Sequence, residues 1–112
     1  MGALYGLSIV ADLPDVRAAV FALGGVIDEQ RIGGPAPAAR NAKVRAGAKG
    51  LGEREVLMLN MTRDEHFPIA GAIDVFEEIP GPKRMSVWAG THVEIPPEAI
   101  VLANQFFART LV

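Results

Sequence analysis

Two short polar clusters in this 112-residue chain hold the residue types needed for proton transfer. The first is Asp64-Glu65-His66. The second is Thr91-His92-Val93-Glu94, and between them they contain both histidines of the sequence. An imidazole that donates one ring N–H to a carboxylate is fixed in a single tautomer. Its other nitrogen can then take a proton from an attacking hydroxyl or water. Asp64, Glu65 and Glu94 are the carboxylates, and His66 and His92 the imidazoles, from which such an acid and base could come. A less specific reading stays open, because an Asp near a helix start often caps it or holds a loop amide. A loop histidine, likewise, is often only a polar surface residue. Other chemistry fits less well. A metal held by His66 and His92 with Asp64, Glu65 or Glu94 lacks the His-Glu-x-x-His spacing of a helical zinc site. His92-Val93-Glu94 has the His-x-Glu of zinc deaminases without their cysteines. Gly24-Gly25 and Gly33-Gly34 mark turns and do not form a phosphate-binding GxGxxG. No metal and no cofactor is expected.

Composition narrows the class of molecule. Half of the residues are hydrophobic and 21% are charged, too apolar for a disordered tail. One domain over residues 1–112 is expected. The net charge of -2, with no basic block, argues against nucleic acid or an anionic membrane as partner. Arg40, Lys43, Arg45 and Lys49 lack interleaved aromatics and read as a solvated helix face. With no Cys, disulfides, thiolate metal sites and cysteine nucleophiles are all excluded. The apolar start MGALYGLSIVADL has no positive side chain before Arg17, and Asp12 and Pro14 interrupt it. It does not read as a secretory signal, and it falls short of the ~20 apolar residues a bilayer span needs. Gly6 stands where a myristoylation signal has Ser or Thr. A cytoplasmic chain is expected.

The elements that must position the two clusters can be read from the apolar pattern. Gly2 to Ala11 has helical spacing through Ala3, Leu4, Leu7, Val10 and Ala11. Ala18 to Leu23 is a continuous apolar run stopped by Gly24-Gly25, which predicts a strand buried on both faces. Ile32 to Gly52, rich in Ala, Gly, Lys and Arg, predicts a solvated helix between two loops. Val56 to Leu59 is a second buried strand, followed by a polar turn from Asn60 to Glu65. Phe67-Pro68 opens a helix with Ile69, Ala72, Ile73 and Phe76 inward, closed by Pro80-Gly81-Pro82. Arg84 to Trp88 is a third strand. Pro96-Pro97 starts a last helix with Leu102, Ala103, Phe106 and Phe107 inward. Strands separated by helices predict an α/β fold, a three-stranded parallel sheet with flanking helices. In such sheets functional groups gather beyond the C-terminal strand ends, where both polar clusters fall. Trp88 and Tyr5 read as packing residues.

The segments VLMLNMTRDEHFP and VWAGTHVEIPPE resemble the last two strand-loop units of the α/β-hydrolase fold. In that family the penultimate loop carries the acid of a catalytic triad, and the last loop carries its His after a glycine, as in Gly90-Thr91-His92. Met1-Gly2-Ala3-Leu4-Tyr5-Gly6 resembles the stretch just after the serine of the Gly-x-Ser-x-Gly elbow. The resemblance covers nearly the whole chain and only the C-terminal part of the family's domain. It implies that Asp64 and His92 are acid and base, that Met1 matches the residue whose amide serves the oxyanion hole, and that the nucleophilic serine belongs immediately before Met1. Met61 departs from the pattern, taking a place often held by Gly.

Ser8, Ser86 and Thr91 are the hydroxyls that could stand in as nucleophile, and a water activated by the pair is the remaining choice. Two functions are then open. One is a weak hydrolase of small carboxylic esters or lactones. The other is a non-catalytic oligomerising remnant of a hydrolase. A truncated sheet would leave the edge of Ala18–Leu23 and the first helix without neighbours, so a homodimer through them is expected.

Overall fold

The computed structural model describes residues 2–111, the side chains of residues 2–4 excepted. The chain runs α1 (Gly2–Ala11), β1 (Ala18–Ala22), α2 (Glu29–Ile32), α3 (Pro35–Lys49), β2 (Glu55–Met61), α4 (Ile69–Glu78), β3 (Lys83–Trp88) and α5 (Pro97–Thr110). The three strands form one parallel sheet in the order β1-β2-β3. Ala18 pairs with Glu55 through to Ala22 with Leu59, and Val56 pairs with Lys83 through to Met61 with Trp88. The predicted fold class and all three strands are therefore present.

Side chains of a strand alternate between faces, and both faces of this sheet are covered. Ala19, Phe21, Val56 and Met58 pack with Leu7, Val44, Ala48, Ala72 and Val75 from α1, α3 and α4. Ala18, Leu57 and Leu59 pack on the opposite side with Ala99 and Phe106 of α5. Val56 to Met61 are all buried, so β2 is the anchor of the molecule. Each fully buried Val, Leu or Met contributes roughly 1.5–3 kcal/mol.

Several predicted details differ. The helix from 35 to 49 is not simply solvated. It buries Pro37, Asn41, Val44, Gly47 and Ala48, a face of small residues that carries little hydrophobic signal yet permits close packing on α1. A Cβ at Gly47 would lie 2.6 Å from the backbone nitrogen of Ser8, so only glycine lets these helices approach so closely. In α4, Ile73 is 42% exposed rather than inward. Ala72 is buried together with Gly71 and Val75, and Ile69 and Phe76 pack partly buried against the same core, as expected. The turn expected at Asn60 and Met61 is strand. The Asn60 amide donates to Gly24 O at 2.8 Å, and Met61 pairs with Trp88. A one-turn helix, α2, was not foreseen. Asp28 caps it by accepting from the amides of Gln30 and Arg31. Asn41 of α3 holds the segment before it, exchanging two 2.8 Å hydrogen bonds with the backbone of Ile27.

Candidate active site

The β2–β3 ladder does not stop at the strand ends. Thr62 N donates to Trp88 O and Arg63 N to Gly90 O, both at 2.9 Å, so the two loops beyond start side by side. Gly90 has φ +148°, a backbone conformation that side-chain-bearing residues rarely adopt. A Cβ there would also lie 2.8 Å from Met61 Cε. Met61, the departure from the family pattern, fills the space beneath Gly90, and the glycine is what lets the loop cross it.

These loops bring Asp64 and His92 together. His92 Nδ1 lies 2.7 Å from Asp64 Oδ2. The other carboxylate oxygen, Oδ1, accepts from the amides of His66 at 2.8 Å and Phe67 at 2.9 Å. Both readings of Asp64 thus hold at once: it ties its own loop and it holds the imidazole. Its side chain is fully buried, while that of His92 is 26% exposed. An ionised carboxylate can only accept, so Nδ1 carries the proton and the neutral ring presents Nε2 as a lone pair. Nε2 has no hydrogen-bond partner among the described residues.

Two glutamates brace the loop that carries His92. Glu65 Oε2 accepts from the His92 amide at 3.2 Å. Its carboxyl is held below the usual range, first by a hydrogen bond from its own amide and then by that of His92. Glu94 Oε1 accepts from the Thr91 hydroxyl at 2.7 Å and the Thr91 amide at 3.2 Å. The hydroxyl first, then the amide, keep the Glu94 carboxyl low as well. His66 stands edge-on to His92 with ring centres 4.9 Å apart, at the rim rather than in the pair.

The His92 ring opens onto a cleft of about 530 Å³. Ile27, Ile32, Phe67 and Pro68 give it apolar walls, and Arg31 and Arg40 stand among them. Sequence reasoning missed Arg31 and the Glu65 brace, and it read Arg40, which is exposed, only as part of a solvated helix face. The order Asp28-Glu29-Gln30-Arg31, a capping residue followed by an acid, was the available sign that a helix begins beside the site.

None of the three substitute hydroxyls reaches the imidazole. Ser8 Oγ donates to Tyr5 O within α1. Ser86 lies in β3 opposite Leu59. Thr91 Oγ1 is engaged with Glu94. The amide of Met1, the expected oxyanion donor, lies outside the described residues. Among the described residues no group of three or more His, Asp or Glu side chains could hold a metal ion. No described helix is long and apolar enough to cross a membrane.

The parallel sheet, covered on both faces by helices, has the fold of part of an α/β hydrolase. Solved structures of a novel cold-adapted esterase from an Arctic intertidal metagenomic library share it. Its polyethylene-glycol-bound complex superposes with a TM-score of 0.81 at 19% identity, over 98% of this chain and 43% of that one. Its native form gives 0.79 at 18% identity, over 96% and 44%, and its zinc-bound form gives 0.79 at 17% identity, also over 96% and 44%. The chain therefore spans less than half the length of the esterase it resembles. No protein-family model and no curated protein matches it in sequence.

Proposed function

We propose that this protein hydrolyses small carboxylic esters or lactones, with His92 as the base and Asp64 as the residue that orients it. The observation that carries this reading is the 2.7 Å contact between Asp64 Oδ2 and His92 Nδ1 at the strand tips. His92 Nε2 takes the proton of an attacking hydroxyl as its oxygen bonds to the ester carbonyl carbon. The imidazolium then returns that proton to the departing alkoxide, and Asp64 balances the transient positive charge. The attacking group is a water, or a serine at the place the family resemblance puts before Met1, in which case a water activated by the same His92 then cleaves the acyl-serine ester and releases the acid.

The test is turnover of a chromogenic short-chain ester by wild type, His92→Ala and Asp64→Asn. Loss of turnover in both variants is expected, and equal rates in all three would overturn the mechanism. A serine-directed fluorophosphonate separates the two nucleophiles: labelling reveals a serine, and turnover without labelling points to water.

One observation favours a second reading, a non-catalytic oligomerising domain. No described hydroxyl is bonded to His92. Turnover no faster than buffer in the wild type would uphold it. Both readings share an assembly expectation: among the described residues β1 has a neighbour on one side only, and a second copy of the chain pairing there through β1 and α1 would cover it.

A further inference from the structure

We infer that the cleft beside His92 selects esters that carry a second, anionic group, read by Arg31 and Arg40. This rests on the hydrolase reading and adds the substrate class to it. Both guanidinium-bearing residues line the same cleft as the His92 ring, Arg31 from α2 and Arg40 from α3. Asp28 and Glu65 line the same cleft and offset part of the charge of these two arginines. Neither forms an ion pair among the described residues, although Arg45 pairs with Asp74 and Arg109 with Glu55.

The nearby carboxylates are already engaged with other groups. Asp28 Oδ1 accepts two amides at the start of α2. Glu29 Oε1 accepts from Asn41, and Glu65 Oε2 accepts from the His92 amide. Arg31 spends one N–H on Glu65 O at 3.1 Å, which steadies its side chain over the acid loop and leaves its other donors uncommitted. Two such cations among Ile27, Ile32, Phe67 and Pro68 fit a short apolar chain ending in a carboxylate. A guanidinium binds a carboxylate through two parallel N–H donors, and apolar walls strengthen the attraction. A monoester of a short dicarboxylic acid has this form: the ester at His92, the free carboxylate at the arginines.

The experiment compares monomethyl adipate with methyl hexanoate, a neutral ester of equal chain length, by proton release. Wild type should show the higher kcat/KM on the anionic ester. That preference should fall about five- to tenfold in Arg31→Gln and Arg40→Gln, mainly through KM, and shrink with added salt. Arg84→Gln removes a charge from the opposite end of the sheet and should leave the preference intact. Equal preference in the wild type, or a preference unmoved by either cleft substitution, overturns the inference. Arg40→Gln carries the test should Arg31→Gln fail to fold, because the Arg40 side chain makes no hydrogen bond among the described residues. If neither ester turns over, the hydrolase reading has failed and calorimetric binding of adipate decides. Binding weakened by both substitutions then upholds the anion site, and absent or unchanged binding removes it.

Discussion

The strand tips and the outer edge of β1 are built on opposite terms. At the tips nearly every polar group is engaged: Asp64 uses both oxygens, Glu65 braces the His92 amide, and Glu94 closes on Thr91. At the edge, Ala18, Ala19 and Phe21 are buried on the sheet faces, yet the strand has no partner on its outer side among the described residues. The far edge, β3, shows how a terminal strand is usually protected. It opens with exposed Lys83 and Arg84, charges that discourage further pairing. The AAVFA of β1 carries no such guard and reads like an interior strand. Polar groups are fixed by hydrogen bonds at one place, while at the other the sheet ends, among the described residues, in an unpaired edge.

The largest effect should come from His92→Ala, which removes the group at the tips with a free lone pair for proton transfer. Ester turnover should fall by a factor on the order of 10²–10⁴, measured as kcat/KM on a chromogenic ester. Asp64→Asn should approach this loss while keeping the fold. Its amide oxygen still accepts from His66 and Phe67, but its NH₂ faces Nδ1 and drives the ring proton to Nε2. Asp64→Ala should unfold more easily as well, by about 1–3 kcal/mol for each group left without a partner, read from denaturant titration. An Asp64→Asn variant as active as wild type would sever the tips from the chemistry.

At the edge, Val20→Lys or Phe21→Asp should alter assembly. Light scattering should show the wild type as a dimer or larger, and the variants dissociated or precipitated. A monomeric wild type would break the contrast from that side.

The smallest effect concerns pH. Glu65 and Glu94 both sit below the ordinary 4.5 in the folded chain. Their contribution is therefore fully present above 4.5 and is lost only as pH falls through the lowered folded values. Melting temperature should be insensitive to these braces near neutrality and decline in acid. The decline should be shallower in a Glu65→Gln, Glu94→Gln double variant.

The sheet was legible because Ala18–Leu23 and Val56–Leu59 are unbroken apolar runs with glycine or polar stops. The pair was legible because strand tips of a parallel sheet adjoin, which brings the two loops together, and because the family resemblance singled out Asp64 and His92 within them. Much of what surrounds them was hidden. The buried face of α3 is made of Gly47, Ala48 and Asn41, residues whose role depends on how near a second backbone comes. Glu65 and Arg31 act through main-chain groups, which leave no pattern in side-chain order. Ile73 misled because the buried face of α4 is centred on Gly71, Ala72 and Val75, where the loop at Val26 presses close to Gly71.

None of the four residues of α2 is buried. Its place is set by the Asp28 cap and by Asn41 clasping Ile27, with no hydrophobic stake of its own. Under the proposed hydrolase reading that wall is interchangeable: a new turn of helix, kept between the same cap and clasp, would re-tune what the cleft accepts without disturbing the core.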